Sequence, residues 1–243
     1  MESVFQIKKG DFLIKREFIK SGIPGLDEIL GGGMLRGSIC TLSGPTGSGK
    51  STFGMQFLVE GVLKEKQPGL YISIEETKES TYFHMSGYVW ELDKLEKAKQ
   101  LVFLDYPVYE VEQFLSQNSA VAEIINTMGV ERVVIDSIMP IALLFKNEDD
   151  RKKGFIKFID SIRKWKTTTL IISEDTPATT ADVLPDTRYG VESFTDGWLH
   201  LYFLYERGKD RKRAIEVLKM KGVQHSTKIF PLELDKNGFK VNE

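Results

Sequence analysis

The chain has almost no cysteine, no strong charge bias and no long apolar run. Cys40 is the single cysteine among 243 residues, which excludes an intramolecular disulfide framework and is typical of proteins in a reducing cytosol. No apolar stretch approaches the length of a transmembrane helix, and the polar start lacks a signal-peptide pattern. We therefore expect a soluble, cytoplasmic protein that does not associate with membranes.

The charge and composition point away from nucleic-acid binding and towards one large folded unit. The formal net charge is −2, whereas wrapping by nucleic acid needs a basic field. The chain is 41% hydrophobic and contains no Pro/Ser-rich linker, so one α/β domain over residues 21–243 is the simplest interpretation. Two short alternating runs within residues 1–20 predict an N-terminal extension that forms a hairpin.

A complete phosphate-binding loop is the most informative motif. Residues 44–51 read GPTGSGKS, which matches G-x-x-x-x-G-K-[ST]. The glycines let consecutive backbone N–H groups converge on phosphate oxygens, the lysine reaches the β- and γ-phosphates, and the serine hydroxyl ligates Mg²⁺. A buried strand precedes the loop and an amphipathic helix follows it, which directs a helix N-terminus at the anion. The predicted nucleotide-binding residues are Gly44, Pro45, Thr46, Gly47, Ser48, Gly49, Lys50, Ser51 and Thr52.

Apolar runs alternate with helical patterns along most of the chain. The predicted strands lie at residues 38–43, 69–74, 101–104, 132–136 and 168–173, and the predicted helices at 52–64, 78–90, 92–97, 110–128 and 150–165. Such alternation predicts right-handed βαβ crossovers and a largely parallel, twisted sheet with helices on both faces. In the last third, runs at 198–205 and 214–220, and at 229–234 and 239–241, predict antiparallel hairpin strands that extend one edge.

Carboxylates follow two of the predicted strands, where ligands of an open α/β sheet bind. Asp136 ends an apolar strand, the pattern of an acidic residue that contacts Mg²⁺ through water, so Ser51 and Asp136 are the predicted metal residues. Glu75 and Glu76 end the strand after the loop helix, where a carboxylate can deprotonate the attacking water. Adjacent side chains of an extended segment point oppositely, so at most one of the two should face the phosphate squarely. We take Glu75 as the base and Glu76 as secondary.

These motifs together resemble one family, the KaiC-like ATPases of the RecA/RadA superfamily. The lead-in SGIPGLDEILGGG at residues 21–33, the IEET at 74–77, the VIDS at 134–137, the RYGVESF at 188–194 and the LKMKGVQH at 218–225 follow the family's order. The resemblance implies a RecA-like P-loop core, binding of ATP or ADP with Mg²⁺, and hydrolysis of ATP.

The resemblance also implies a homo-oligomeric ring, commonly a hexamer, with ATP between subunits and with Lys219, Lys221 and His225 reaching the neighbour's nucleotide. Clock members usually carry arginine where this chain has Lys221. Lysine offers a point charge without a planar fork, so we expect slow hydrolysis. We also expect a regulatory or signalling role. The chain has one such domain whereas the clock protein has two, so no clock function and no phosphorylation site is inferred.

Three other functions share part of this sequence pattern. A P-loop GTPase is disfavoured because its Asn-Lys-x-Asp motif is absent: residues 146–149 read KNED. A RadA-like recombination ATPase stays open, although residues 174–190 form an acidic loop that suits DNA poorly, and the basic run at 207–213 is best explained as a solvated turn or subunit contact. A nucleotide-gated interaction module with little turnover, acting on an unknown protein partner, also stays open.

Overall fold

The computed structural model describes residues 5–9, 12–174, 184–205 and 207–242. The strands are β1 (Phe5–Lys9), β2 (Phe12–Arg16), β3 (Phe18–Ile19), β4 (Met34–Leu35), β5 (Ile39–Gly44), β6 (Gly69–Ser73), β7 (Leu101–Asp105), β8 (Arg132–Asp136), β9 (Thr168–Glu174), β10 (Gly197–Leu204), β11 (Lys212–Met220), β12 (Ile229–Asp235) and β13 (Gly238–Val241). The α-helices are α1 (Leu26–Ile29), α2 (Lys50–Glu65), α3 (Lys78–Met85), α4 (Leu92–Lys97), α5 (Val111–Ser116), α6 (Asn118–Met128), α7 (Met139–Leu143) and α8 (Glu148–Arg163).

A nine-stranded sheet organises the fold, in the order β13-β12-β11-β10-β5-β9-β8-β6-β7. The six strands from β10 to β7 run parallel, and β11, β12 and β13 extend the sheet through antiparallel pairs. This confirms the expected α/β class with C-terminal hairpin strands. One detail is new: β10 pairs in parallel with β5, so the first hairpin strand belongs to the parallel core. Strands β1 and β2 pair antiparallel with each other.

Successive residues of the strands point to opposite faces of the sheet and pack into two separate apolar cores, one on each face. Leu42 and Val134 pack into a cluster with the loop helix α2, whereas Val133 and Ile135 pack into a second cluster with α6 and α8. Because successive side chains of a strand point to opposite faces, strands that are buried throughout must be apolar at almost every position. The uninterrupted apolar runs therefore predicted correctly that helices cover both faces.

Two predicted helices are shorter than their apolar pattern suggested. Helix α3 ends at Met85, and the chain then turns through Gly87 so that the Val89 N–H can pair with the Lys236 carbonyl (3.0 Å). The segment predicted as one helix at 110–128 breaks at Gln117, with α5 before it and α6 after it. At α3, a contact with a distant part of the chain outweighs local helical periodicity.

The lead-in to β5 is fastened by a buried arginine on β8. Arg132 is fully buried and donates to the backbone carbonyls of Lys20 (2.7 Å) and Phe57 (2.9 Å) and to the Gln67 side chain (2.7 Å). Its guanidinium also lies 4.7 Å from the centre of the Phe57 ring. Burial lowers the pKa of Arg132 to about 10, which leaves it charged at neutral pH.

The C-terminal strand β13 is clamped onto the middle of α2. The Gln56 side chain donates to the Phe239 carbonyl (3.0 Å) and accepts from the Phe239 N–H (2.6 Å). This pairing puts the Phe239 ring directly under Gly49, where an added Cβ would lie 2.5 Å from it. Gly49 has φ 101°, a left-handed conformation that favours glycine.

Replacing Arg132 with methionine should lower the free energy of unfolding by about 3 kcal/mol, because buried carbonyls lose their charged donor. Urea unfolding followed by circular dichroism, at matched protein concentration, measures this difference. Arg36→Met is the control: Arg36 is 43% exposed and pairs only at the surface with Glu17 (3.3 Å) and Glu131. The control should cost less than about 1 kcal/mol. Equal losses in the two variants would contradict the role given to Arg132.

Candidate functional site

The phosphate loop joins β5 to α2, as its motif predicts. Helix α2 begins at Lys50 with Gly49 as its N-cap, so its first N–H groups face the loop interior. The Lys50 ammonium donates to the carbonyls of Gly44 (2.9 Å) and Pro45 (3.1 Å). Within the part of the chain that the structure describes, the fully buried Ser48 Oγ has no hydrogen-bond partner. The loop is therefore a preformed cradle of donors at a helix N-terminus, the arrangement that binds phosphate.

Asp136 lies at the end of β8 beside the start of α2. The Tyr71 hydroxyl donates to Asp136 Oδ2 at 2.5 Å. Burial raises the pKa of Asp136, while hydrogen bonds from Ser51 and Tyr71 and the charge of Lys50 act in the opposite direction. Carboxylate and hydroxyl oxygens are the ligands that Mg²⁺ prefers, so Asp136 and Ser51 together fit this ion. Sequence analysis missed Tyr71, because nothing in its strand marks it as a partner of Asp136.

The two glutamates after β6 diverge, as expected for neighbours in an extended segment. Ser137 donates from Oγ to Glu75 Oε1, which holds Glu75 near the end of β8. Glu76 turns towards α3, where its Oε2 lies 3.4 Å from His84 Nδ1 and 3.5 Å from Ser80 Oγ. Burial raises the pKa of Glu75, with further contributions from the charges of neighbouring carboxylates. An elevated pKa favours its use as a proton acceptor near neutral pH.

A second cation lies at the loop. It is the last residue of the basic run at 207–213, whose first residues form an exposed turn as expected. Arg213 on β11 donates to the carbonyls of Ser48 (3.3 Å) and Gly47 (3.4 Å). Its guanidinium lies 4.6 Å from the centre of the Phe203 ring. The last residue of that run is therefore neither in a solvated turn nor far from the site, and the loop has a same-chain cation besides Lys50. Only the pairing of β10 with β11 brings Arg213 there, so sequence spacing could not reveal it.

These groups line one cavity of about 430 Å³ at the carboxyl edge of the parallel strands. The loop, Asp136 and both glutamates lie at its polar part. Its wall also includes Met85, Tyr88 and Leu234, and Tyr88 stacks on Trp90 with ring centres 4.5 Å apart. A polar part for phosphates next to apolar and aromatic walls suits a molecule with a charged tail and a flat ring.

The three residues expected to reach a neighbouring subunit lie away from this cavity. Met220 of β11 stands between Lys219 and Lys221 in sequence and pairs with Gly197 at the start of β10. Gly197 in turn pairs with Cys40, near the amino end of β5. Lys219 donates to the Glu192 carbonyl (2.9 Å) and Lys221 lies 3.4 Å from Asp196 Oδ1. His225 Nδ1 is 2.8 Å from the Ser226 carbonyl. This segment therefore lies near the amino ends of the parallel strands, whereas the phosphate loop of the same chain lies at their carboxyl ends.

Part of the acidic loop at 174–190 lies outside the described residues. Asp175 and Asp182 fall in 175–183. Glu174 accepts a hydrogen bond from Thr46 (3.3 Å) and lies 4.0 Å from Arg188.

Among the described residues, no helix is both long and apolar enough to cross a membrane.

Comparison with known proteins gives a consistent result. A protein-family profile described as "ATPase: KaiC" matches residues 19–243. A circadian clock oscillator protein KaiC of Parathermosynechococcus lividus is 28% identical over 229 residues, which cover 91% of this chain and 42% of that protein. This chain therefore spans less than half the length of that clock relative. A UPF0273 protein of Pyrococcus furiosus is 29% identical over 92% of this chain and 93% of its own length.

A solved structure shares the fold over nearly the full length. The crystal structure of a KaiC-like protein from the hyperthermophilic archaeon Pyrococcus horikoshii superposes with a TM-score of 0.80 and 30% sequence identity. The match covers 94% of this chain and 100% of the other.

Tyr71→Phe should weaken Mg²⁺-dependent ATP binding by about tenfold, since one charge-assisted hydrogen bond is lost. The Tyr71 hydroxyl lowers the pKa of Asp136, so its removal raises that pKa and the weakening should grow as pH falls. Calorimetric titration with ATP, with and without Mg²⁺, measures the effect between pH 5 and 8. Tyr106→Phe is the control, because the Tyr106 hydroxyl contacts only Gln117 (3.4 Å) among the described side chains. A metal-dependent affinity that is the same in both variants would contradict the role of Tyr71.

Proposed function

This chain belongs to the KaiC ATPase family, and from that premise we propose that it hydrolyses ATP slowly, with Mg²⁺, at the subunit interfaces of a hexameric ring. We further propose that the ring serves a regulatory or signalling role through a protein partner. The observation that carries the first proposal is the convergence of three strand ends. Thr46, Asp136 and Glu75 follow or end β5, β8 and β6 at their carboxyl ends, and all three line one cavity.

Each group around the cavity has a task suited to its chemistry. Backbone N–H groups of the loop and the Lys50 ammonium bind the phosphates, and Arg213 lies close enough to the loop to add positive charge. Ser51 and Asp136 would hold the metal ion, which would neutralise charge on the phosphate oxygens. Glu75 accepts a proton from the attacking water, and Ser137 fixes the Glu75 side chain in place. Glu76 supports the site from α3 through its contacts with Ser80 and His84.

The ring proposal rests on charge and on where the chain keeps its cations. The phosphates of Mg·ATP remain anionic, and hydrolysis increases the demand for positive charge in the transition state. Lys219 and Lys221 lie at the opposite edge of the sheet from their own phosphate loop. They could act only on the nucleotide of an adjacent subunit, which suits a head-to-tail ring. A lysine instead of an arginine in this segment favours slow turnover.

Glu75→Gln should reduce the rate of ATP hydrolysis by ~10²–10⁴-fold, because the carboxylate that takes the proton is lost. The same variant should bind ATP like the parent, whereas Lys50→Ala should lose well over about tenfold in affinity. Phosphate release and calorimetry measure the two quantities. For the parent, hydrolysis should decline as pH falls through the raised pKa of Glu75, since the base becomes protonated. A Glu75→Gln protein that hydrolyses at the parent's rate would transfer the role to Glu76. A parent that binds ATP without any turnover would favour a nucleotide-gated interaction module instead.

Mixing Lys50→Ala subunits with Lys221→Ala subunits should restore hydrolysis that each variant lacks alone. In a mixed ring, an intact phosphate loop from one variant meets an intact Lys221 from the other. Steady-state phosphate release on mixtures, with light scattering to determine the assembly, provides the measurement. Absence of recovery in mixed rings, or full activity in a strictly monomeric protein, would refute the shared site.

A further inference from the structure

Lys221 is held by one residue, Asp196, at both its backbone and its side chain. The Lys221 N–H donates to the Asp196 carbonyl (2.8 Å), and its ammonium lies 3.4 Å from Asp196 Oδ1. The Lys221 side chain is 54% exposed, whereas that of Asp196 is only 18% exposed. A partly buried carboxylate thus anchors an ammonium that remains open to solvent at the edge of the sheet.

Asp196 is itself fixed by the elements around it. Its Oδ2 accepts from the Ile39 N–H (3.1 Å) at the start of β5, and its own N–H donates to the Ile39 carbonyl (2.6 Å). Arg163, the last residue of α8, donates to both carboxylate oxygens, at 2.9 and 3.3 Å. Burial raises the pKa of Asp196, but the hydrogen bonds from Arg163 and Ile39 outweigh it and keep the pKa below its usual value. Asp196 is therefore ionised and immobile at neutral pH.

Arg163 is the second cation that pairs with Asp196, and it determines the net charge of the cluster. A lone aspartate would hold Lys221 in place and at the same time cancel its charge. Because Arg163 also pairs with Asp196, the trio keeps a net positive charge. Lys219 lies close enough to add to this positive charge. Burial lowers the pKa of Lys219, and repulsion from the nearby charge of Lys221 lowers it further.

We propose that Asp196, compensated by Arg163, is a positioning residue that orients Lys221 towards the phosphates of the ATP bound by the adjacent subunit. This inference rests on the shared site proposed above. A lysine has four rotatable bonds, so an exposed ammonium without a fixed partner would spend little time in one place. Asp196 removes part of that freedom before the neighbour arrives, which is the usual benefit of preorganisation.

Asp196→Asn should lower kcat for ATP hydrolysis by about tenfold, the loss expected for one charge-assisted hydrogen bond, with ATP affinity unchanged. Its defect should be repaired in rings mixed with Lys50→Ala subunits, because those subunits present a normal Lys221 to the intact loop of the Asp196→Asn subunit. A purely structural role for Asp196 would not be repaired by a neighbour. Asp27→Asn is the matched control: Asp27 is also 18% exposed, accepts from a backbone N–H (Ser21, 2.8 Å) and faces a lysine (Lys20, 4.0 Å). It should leave kcat at the parent's value.

Arg163→Gln provides a second variant if Asp196→Asn fails to assemble. Arg163 is 45% exposed at a helix end, so its loss should be tolerated, and the uncompensated Asp196 should lower kcat about threefold, again repaired by Lys50→Ala subunits. If mixing repairs Lys221→Ala but neither of these variants, or if both keep the parent's kcat, the inference is overturned and the shared site stands. If mixing fails for Lys221→Ala as well, the shared site is wrong and the inference falls with it.

Discussion

The phosphate loop depends on a contact with the last strand of the fold. Gln56 exchanges two hydrogen bonds with the backbone of Phe239, which presses the Phe239 ring against Gly49. That contact leaves no room for a side chain at Gly49 and supports the left-handed turn that starts α2. From this turn, α2 presents its first backbone N–H groups to an anion. Because the loop has one conformation, the carboxylates at the ends of β6 and β8 face a phosphate site of defined position.

The parallel register then determines which side chains share the cavity. Ser73 pairs with Asp136 and Gly44 pairs with Glu174, so the ends of these strands align at one edge. The same register separates four of the cations discussed above into two groups. Lys50 and Arg213 lie at the loop, and Lys219 and Lys221 lie at the other edge. In the head-to-tail ring proposed above, Lys219 and Lys221 of one copy would face the anionic nucleotide held at the loop of the next copy.

The sequence predicted those features that depend on a few neighbouring residues. The loop from Gly44 to Ser51 and the buried strand that ends at Asp136 each carry their evidence within ten residues, and the structure places them as expected. Tyr71 and Arg213 escaped prediction because long-range strand pairing brings them to the site. The early end of α3 at Met85 was missed for a related reason, since Val89 finds its partner in a turn far along the chain. Local periodicity carries no information about such partners.

The buried arginine on β8 also affects the order in which the chain can fold. Lys20 and Arg132 are separated by 112 positions, yet their hydrogen bond fastens the lead-in segment to the sheet. Closing a loop of that length costs conformational entropy, and this cost comes before the favourable contacts that the closed loop makes. During synthesis, at roughly 5–20 residues per second, the lead-in must wait many seconds before β8 leaves the ribosome. Its apolar residues Ile19 and Ile23 can pack earlier against α2, with which they share a core cluster, so the arginine is the last of these contacts to form.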